Sequence, residues 1–392
     1  MKRSVIKVII CVLAVLLAAE VLFLIMADGL LNPGETTAPT TAPTTVPTTE
    51  PTTAPTTAPT TEPTTAPTTA PTTEPTTAPV LQEQRYTLTL VGDCTLGCSP
   101  SVFEKAGRFI SVIGEDYDYP FREVVKYFEN DDLTIANLEG VFANSGTPVD
   151  KLFTFRGPTA YTQILTGSSV EAVTLANNHI MDFGKAGYES TTNALDQAGV
   201  AYVEEDKTLL ITTETGLVVG LYADSYTSEF SETAIAEGIA QLRRDGAEIV
   251  ICAFHWGKEG SYRPNDEQKQ LAHAAIDAGA DIIYGHHPHV LQPIEEYNGG
   301  LILYSVGNFC FGGNINPRDK DSAIFQLEII RDTEGKVSRG DLTIIPVTIS
   351  SASDYNDYQP TPCKEGSKTY KRIMSKLDGT FEGRDLYVSY DN

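Results

Sequence analysis

Proline stands at every fourth position from Pro39 to Pro79, inside an unbroken Thr/Pro-rich run over residues 36–79. At that spacing each proline removes a backbone donor and clashes with the preceding helical turn, so neither a helix nor a sheet ladder can form there. TTEP recurs at Thr48, Thr60 and Thr72, with TTAP units between. Residues 31–84 are therefore predicted as an extended, semi-rigid spacer, whose Thr/Pro repeat over 36–79 alone reaches on the order of 130 Å at ~3.1 Å per residue. Its threonines are candidate O-glycosylation sites. Whatever folds must begin near Gln82, and the remaining length still suffices for one large α/β core.

Upstream of the spacer, Lys2, Arg3 and Lys7 precede an apolar run from Val8 to about Met26. That run approaches the ~20 residues a spanning helix needs, and no small-x-small cleavage site follows it. Residues 1–30 read as a membrane anchor, with a cleaved signal sequence as the alternative. Positive charges ahead of the run favour a single pass with the N-terminus inside and the C-terminal domain extracellular.

The formal net charge is −24. Such a balance excludes a nucleic-acid partner, which requires a basic face to meet phosphates. It does not exclude a local cationic site, such as a bound metal, that captures an anion. Of the six cysteines, Cys94 and Cys98 are close enough for a disulfide or a metal reading, but the absence of a CxxC pair favours small buried thiols.

From Arg85 the pattern turns globular. Segments 86–91, 133–136, 170–175, 217–222, 249–254 and 281–284 read as buried strands. Helical periodicity over 121–128, 187–198, 233–244 and 267–278 alternates with them, which points to an α/β sheet protein over 85–350. After Tyr284 strands follow in succession, at 290–295, 301–306, 323–330 and 342–349, with Asn298-Gly299 a strong hairpin turn between the first two. Residues 351–392 read as a C-terminal extension packed on the domain.

The polar residues share one position, just beyond a strand. Asp93 follows the first strand, Asn137 and Glu139 the second, and Asn177, Asn178, His179 and Asp182 the third. His255 and Trp256 follow the strand at 249–254, and His286, His287 and His289 follow that at 281–284. Five of the six histidines lie in these motifs. Ligand sites in open α/β sheets form beyond the carboxyl ends of the strands. Carboxylate and imidazole are the donors that Zn, Mn or Fe accept, and a two-metal site needs a carboxylate shared between separate sets of ligands. Asp93, Glu139, Asn178, His255, His287 and His289 are thus the candidate metal ligands. His287 and His289 flank Pro288, and both can face one site only if the loop bends. If the hairpin at Asn298-Gly299 pairs in register, Asn308 returns beside the histidines as a substrate-binding or ligand-supporting group. It shares that class with Asn137, Asn177, Asp182, Trp256 and His286; a plain Gly-Asn turn is the alternative for Asn308.

In this order, Val91-Gly92-Asp93, Asn137-Leu138-Glu139, Ala176-Asn177-Asn178-His179, His255-Trp256-Gly257, Gly285-His286-His287-Pro288-His289 and Gly307-Asn308-Phe309 resemble the CapA, or PgsA-type, family of poly-γ-glutamate capsule synthesis proteins. The resemblance implies a four-layer αββα sandwich of metallophosphatase type with two divalent metal ions (Mn, Fe, Zn or Mg). It places Glu139 where related phosphatases carry a bridging aspartate and makes His179 the acid that protonates a leaving oxygen. It also implies an anionic cell-surface polymer, poly-γ-glutamate or a wall component, and membrane polymer-synthesis subunits as partners. Related phosphatases open with Asp-x-His, whereas this chain has Asp93-Cys94-Thr95. Two functions are therefore expected: metal-dependent hydrolysis or transfer, or a non-catalytic module that binds and guides the polymer during export.

Overall fold

A computed structural model describes residues 82–387. The anchor expected over 1–30 lies outside these residues, as does the spacer apart from its end at 82–84. Among the described residues no helix is long and apolar enough to cross a membrane.

The strands are β1 (Gln84–Thr95), β2 (Leu133–Leu138), β3 (Val141–Phe142), β4 (Arg156–Gly157), β5 (Ala172–Thr174), β6 (Ala201–Val203), β7 (Lys207–Thr212) and β8 (Val218–Ser225). They continue as β9 (Ile249–His255), β10 (Ile282–His286), β11 (Ile294–Tyr297), β12 (Gly300–Leu303), β13 (Asn308–Phe311), β14 (Asp321–Arg331), β15 (Val337–Thr348) and β16 (Thr361–Pro362). Helices are α1 (Phe109–Ile113), α2 (Val125–Phe128), α3 (Thr162–Thr166), α4 (Gly184–Ala198), α5 (Glu232–Arg244), α6 (Asp266–Asp277) and α7 (Lys368–Leu377). An eight-stranded sheet runs β16-β15-β14-β1-β2-β5-β6, with β13 also paired to β1, and a six-stranded sheet runs β11-β12-β10-β9-β8-β7.

Period-two alternation explains how both faces of each sheet become apolar. In β9, Ile249, Ile251 and Ala253 point into a core shared with Leu88, Leu90, Ile135 and Phe325 of the first sheet. Val250, Cys252 and Phe254 point the other way, against Ile235 and Ile239 of α5 and Leu271 and Ala275 of α6. Val91, Ala136 and Val173 likewise leave the first sheet on its outer side to meet Phe109, Ile164 and Leu195. The two sheets thus pack face to face, with helices on both outer faces. Each fully buried Leu, Ile or Phe contributes about 1.5–3 kcal/mol, and the shared core is the largest such reservoir.

Three expectations need correction. The helix expected over 121–128 is helical only in α2, its first half forming turns. Phe121, Val124 and Phe128 are all buried, but aromatic and β-branched residues are weak helix formers and no side chain caps the start of α2. The strand expected at 290–295 begins only after Pro293, which cannot donate to a ladder. The strand expected to run through Val306 ends at Leu303. The intervening turn does form: Asn298 and Gly299 have φ of 46° and 83°, and β11 pairs antiparallel to β12. Beyond it the chain leaves the second sheet. β13 joins the first sheet instead, parallel to β1, with Asp93 beside Asn308. That crossing brings the two backbones so close that a Cβ on Gly92 would stand 2.2 Å from the Gly307 carbonyl oxygen.

The C-terminal part is tied in by α7, whose start is capped by the Ser367 side chain accepting from Tyr370 N. Ile373 and Leu377 enter the core between the sheets. Lys376, 2% exposed, reaches the carboxylates of Asp319 and Asp321.

Candidate metal centre

Parallel strands from both sheets deliver their carboxyl ends to one rim. β1 and β2 bring Asp93 and Asn137 side by side in the first sheet. β9 and β10 bring His255 and His286 side by side in the second. Asp93 and Glu139 are fully buried, and His255 and His286 are 1% exposed. Ionisable groups so enclosed must be paired, or they must hold a cation.

Glu139 Oε1 is the focus. His255 Nε2 and His289 Nε2 each stand 3.7 Å from it, and His179 Nε2 stands 4.0 Å away. These separations exceed a hydrogen bond. They are close to the roughly 3–3.5 Å expected between donors bound at about 2.0–2.2 Å to one cation. Asp93, Glu139 and His289 form one set of donors lying within 4.8 Å of one another, and Glu259, His287 and His289 form a second. His289 belongs to both. Asn178 Oδ1 lies 2.9 Å from His255 Nε2. The His255 and His287 rings are 4.8 Å apart.

The unmatched polar atoms support a cation. Eight buried side-chain N or O atoms among the described residues have no hydrogen-bond partner, and five belong here: Asp93 Oδ2, Glu139 Oε1, His255 Nδ1, His286 Nε2 and His287 Nδ1. An unmade buried hydrogen bond costs about 1–3 kcal/mol, so the unmatched carboxylate oxygens of Asp93 and Glu139 call for a ligand. Mixed carboxylate and imidazole donors suit a divalent cation of the Mn, Fe or Zn kind.

The loop after β10 bends in order to present its histidines. His287 and His289 have φ of 92° and 55°, rare for side-chain-bearing residues. This bend lets two residues separated by Pro288 serve the same centre. Behind the donors is a scaffold of amides. Asn137 Nδ2 donates to Asp93 Oδ1 (2.9 Å), and Asn137 Oδ1 accepts from Thr174 and Asn177. Asn177 also accepts from His179 N. His286 Nδ1 meets Asp93 Oδ1 at 2.8 Å, and Asn308 Oδ1 lies 2.9 Å from His289 Nδ1. Thr95 donates its hydroxyl to Glu139 Oε2 at 3.4 Å.

His179 is held differently. Its Nδ1 meets Asp182 Oδ2 at 2.7 Å, leaving Nε2 toward Glu139. Asp182 is in turn fixed by Phe155 N (2.7 Å) and Lys151 Nζ (3.1 Å). The Phe155 ring packs against the imidazole, with centroids 4.4 Å apart.

Electrostatics divide the site. Burial pushes the Glu139 carboxyl up to about 8. Burial also pushes Asp93 upward, but its Oδ1 hydrogen bond to His286 and the charge of His289, 3.2 Å from Oδ2, outweigh it and hold this carboxyl well below its usual range. Burial lowers His255, lowers His287 to about 3, and lowers His179, leaving these imidazoles neutral and able to donate a lone pair. Burial opposes protonation of His289 too, but Glu139 and Asp93 prevail and raise it to about 10.

The structure thus gathers Asp93, Glu139, Asn178, His179, His255, His287 and His289, with Asn137, Asn177, Asp182, His286 and Asn308 around them. Trp256 requires correction. It is 1% exposed in the outer core of the second sheet, and its Nε1 donates to the Tyr304 carbonyl. Strand alternation turns it away from the face that His255 occupies. Glu259 and Lys151 were not anticipated. Glu259 sits four residues beyond His255, and its only sequence signal is an acid in a strand-end loop. Cys94 and Cys98 are buried free thiols.

The bacterial capsule synthesis protein family PGA_cap matches residues 87–313. The PGA biosynthesis protein CapA of Bacillus subtilis (strain 168) is 30% identical over 295 residues, covering 69% of this chain and 74% of that protein. The capsule biosynthesis protein CapA of Bacillus anthracis is 30% identical over 338 residues, covering 77% of this chain and 78% of that protein. Among solved structures, the NAD nucleotidase of Haemophilus influenzae aligns with 76% of this chain and 56% of its own at 11% identity. Its TM-score of 0.40 is too low to bear on fold or function. Every residue gathered at the centre, from Asp93 to Asn308, falls inside the matched span, and the chain belongs to the PGA_cap family of bacterial capsule synthesis proteins.

Proposed function

We propose that this chain is a membrane-anchored, cell-surface protein of capsule synthesis, whose extracellular domain carries a two-cation centre that hydrolyses or transfers a bond of an anionic polymer. Poly-γ-glutamate or a wall component is the substrate, with membrane polymer-synthesis subunits as partners. The observation that carries this reading is the convergence of three imidazole nitrogens on the unpartnered Oε1 of buried Glu139. The names of the relatives, a PGA biosynthesis and a capsule biosynthesis protein, support the polymer. Paired sheets with helices outside support the αββα arrangement of a metallophosphatase-type fold.

Asp93, Glu139, Asn178, His255, His287 and His289 would hold the cations, with Glu259 as an added donor. Bound divalent cations supply Lewis-acid polarisation of a phosphoryl or carbonyl oxygen. The chain's own residues do the rest. Asp182 accepts the Nδ1 proton of His179, which leaves Nε2 free to take a proton from the attacking nucleophile and then hand it to a leaving oxygen or nitrogen. Lys151 balances the Asp182 charge, and Phe155 limits water around the ring. Thr95 favours a second reading, since a hydroxyl there in place of an imidazole removes a donor that related phosphatases use. On that reading the centre binds and guides the polymer without cleaving it.

The test is His179→Ala with bound metal measured alongside capsule formation. Loss of capsule with metal retained supports catalysis. Normal capsule with metal retained supports the binding role.

A further inference from the structure

We infer that the centre lies in the middle of a groove that holds an anionic chain on both sides, so that interior bonds of the chain, and not only its terminus, come to lie at His179. This inference rests on the proposed polymer reading. Two cavities meet at the centre. One, of about 200 Å³, is lined by His179 and Arg318 among others. The other, of about 340 Å³, is lined by His179, Tyr226 and Lys258. Phe153, His179 and Glu259 line both, so the two cavities adjoin at the centre, and we read them as the arms of one groove.

Each arm carries a cation that is no donor to the centre. Arg318 and Lys258 are exposed, and among the described residues neither is ion-paired to a carboxylate. Arg318 donates to the Tyr387 carbonyl, a neutral partner. In a chain of net charge −24, an exposed cation in each arm attracts negative groups on both sides of the centre. The Phe153 ring, 47% exposed between the arms, offers apolar surface to the methylene stretches that separate those groups. A site that took only chain ends would need one arm, not two.

The experiment measures binding of oligo-γ-glutamates, blocked at both ends and labelled at an interior residue, to the metal-loaded full-length chain by fluorescence anisotropy. Affinity is expected to rise with oligomer length and then level off. Arg318→Gln and Lys258→Gln should each weaken the longest oligomer about tenfold, as loss of one charge-assisted contact does. The shortest oligomer should respond to only one of the two, and metal content should be unchanged in both. Binding that requires a free end, or that ignores both substitutions, overturns the two-armed groove while leaving the polymer reading intact. No binding by the unsubstituted, metal-loaded chain at any length overturns both.

Discussion

His255 Nε2 lies 3.7 Å from Glu139 Oε1, across the seam where the two sheets face each other. His255 ends a strand of the second sheet and Glu139 follows a strand of the first, so the contact exists only when both sheets are folded and packed. The pair is too far apart for a hydrogen bond and too buried to be left to water. Glu139→Gln keeps the shape and removes the charge. It is expected to weaken zinc or manganese binding by at least about 10–100-fold, measured by competition with a chromogenic chelator. The fold should persist by circular dichroism.

Asp182 acts through His179 and not on the cations. Asp182→Asn should leave bound metal unchanged while allowing the imidazole to adopt the wrong tautomer. If the centre is catalytic, turnover of a generic phosphodiester with added manganese should fall by about 10²–10⁴-fold, and its pH profile should shift. An unchanged rate would remove His179 from proton transfer.

Protons and metal compete for the same atoms. In the metal-free domain, burial raises Glu139 to about 8, and the surrounding carboxylates raise His289 to about 10 despite its burial. Both folded values exceed the unfolded ones, near 4.3 and 6.5. Their contributions to stability are therefore fully present below the unfolded values and are lost as pH rises through the folded ones. His255 and His287 are depressed and have completed their change by about pH 6.5. Between about pH 7 and 9 the metal-free protein should accordingly lose thermal stability, and the metal-loaded protein should not. Calorimetry in buffers of different ionisation enthalpy should show proton release on metal uptake.

Much of the centre was legible because parallel strands end together: a reader who finds donors after successive strands can place them on one rim. Four features were not legible. Asn298-Gly299 identifies a hairpin but says nothing about which sheet the following strand joins, so the arrival of Asn308 beside Asp93 by a crossing between sheets required the structure. Glu259 resembles any solvated loop carboxylate until the bend at His287 and His289 brings their rings to it. Trp256 adjoins His255 in sequence, yet a period of two sends neighbours to opposite faces. The C-terminal helix escaped because its buried residues are few, and one of them is a lysine.

That lysine is a test of the fold. Lys376 neutralises Asp319 and Asp321, and Arg372 joins it on Asp321. Burial pushes Asp321 up, but its cationic partners hold it below the usual carboxylate range. A depressed carboxylate contributes stability above its unfolded value, near 3.9, and that stability is lost as pH falls through the folded one. Lys376→Ala leaves two buried carboxylates short of a partner and should cost about 3–5 kcal/mol in urea denaturation at neutral pH.

Elemental analysis of the purified full-length chain after loading and dialysis bears on the centre most directly. Two divalent ions per chain are expected, falling to one or none in Glu139→Gln and in Asp93→Asn while His273→Ala, remote on α6, changes nothing. A chain that retains no cation after exposure to zinc, manganese and iron, or one whose content is the same in all three variants, would contradict a metal centre at these residues.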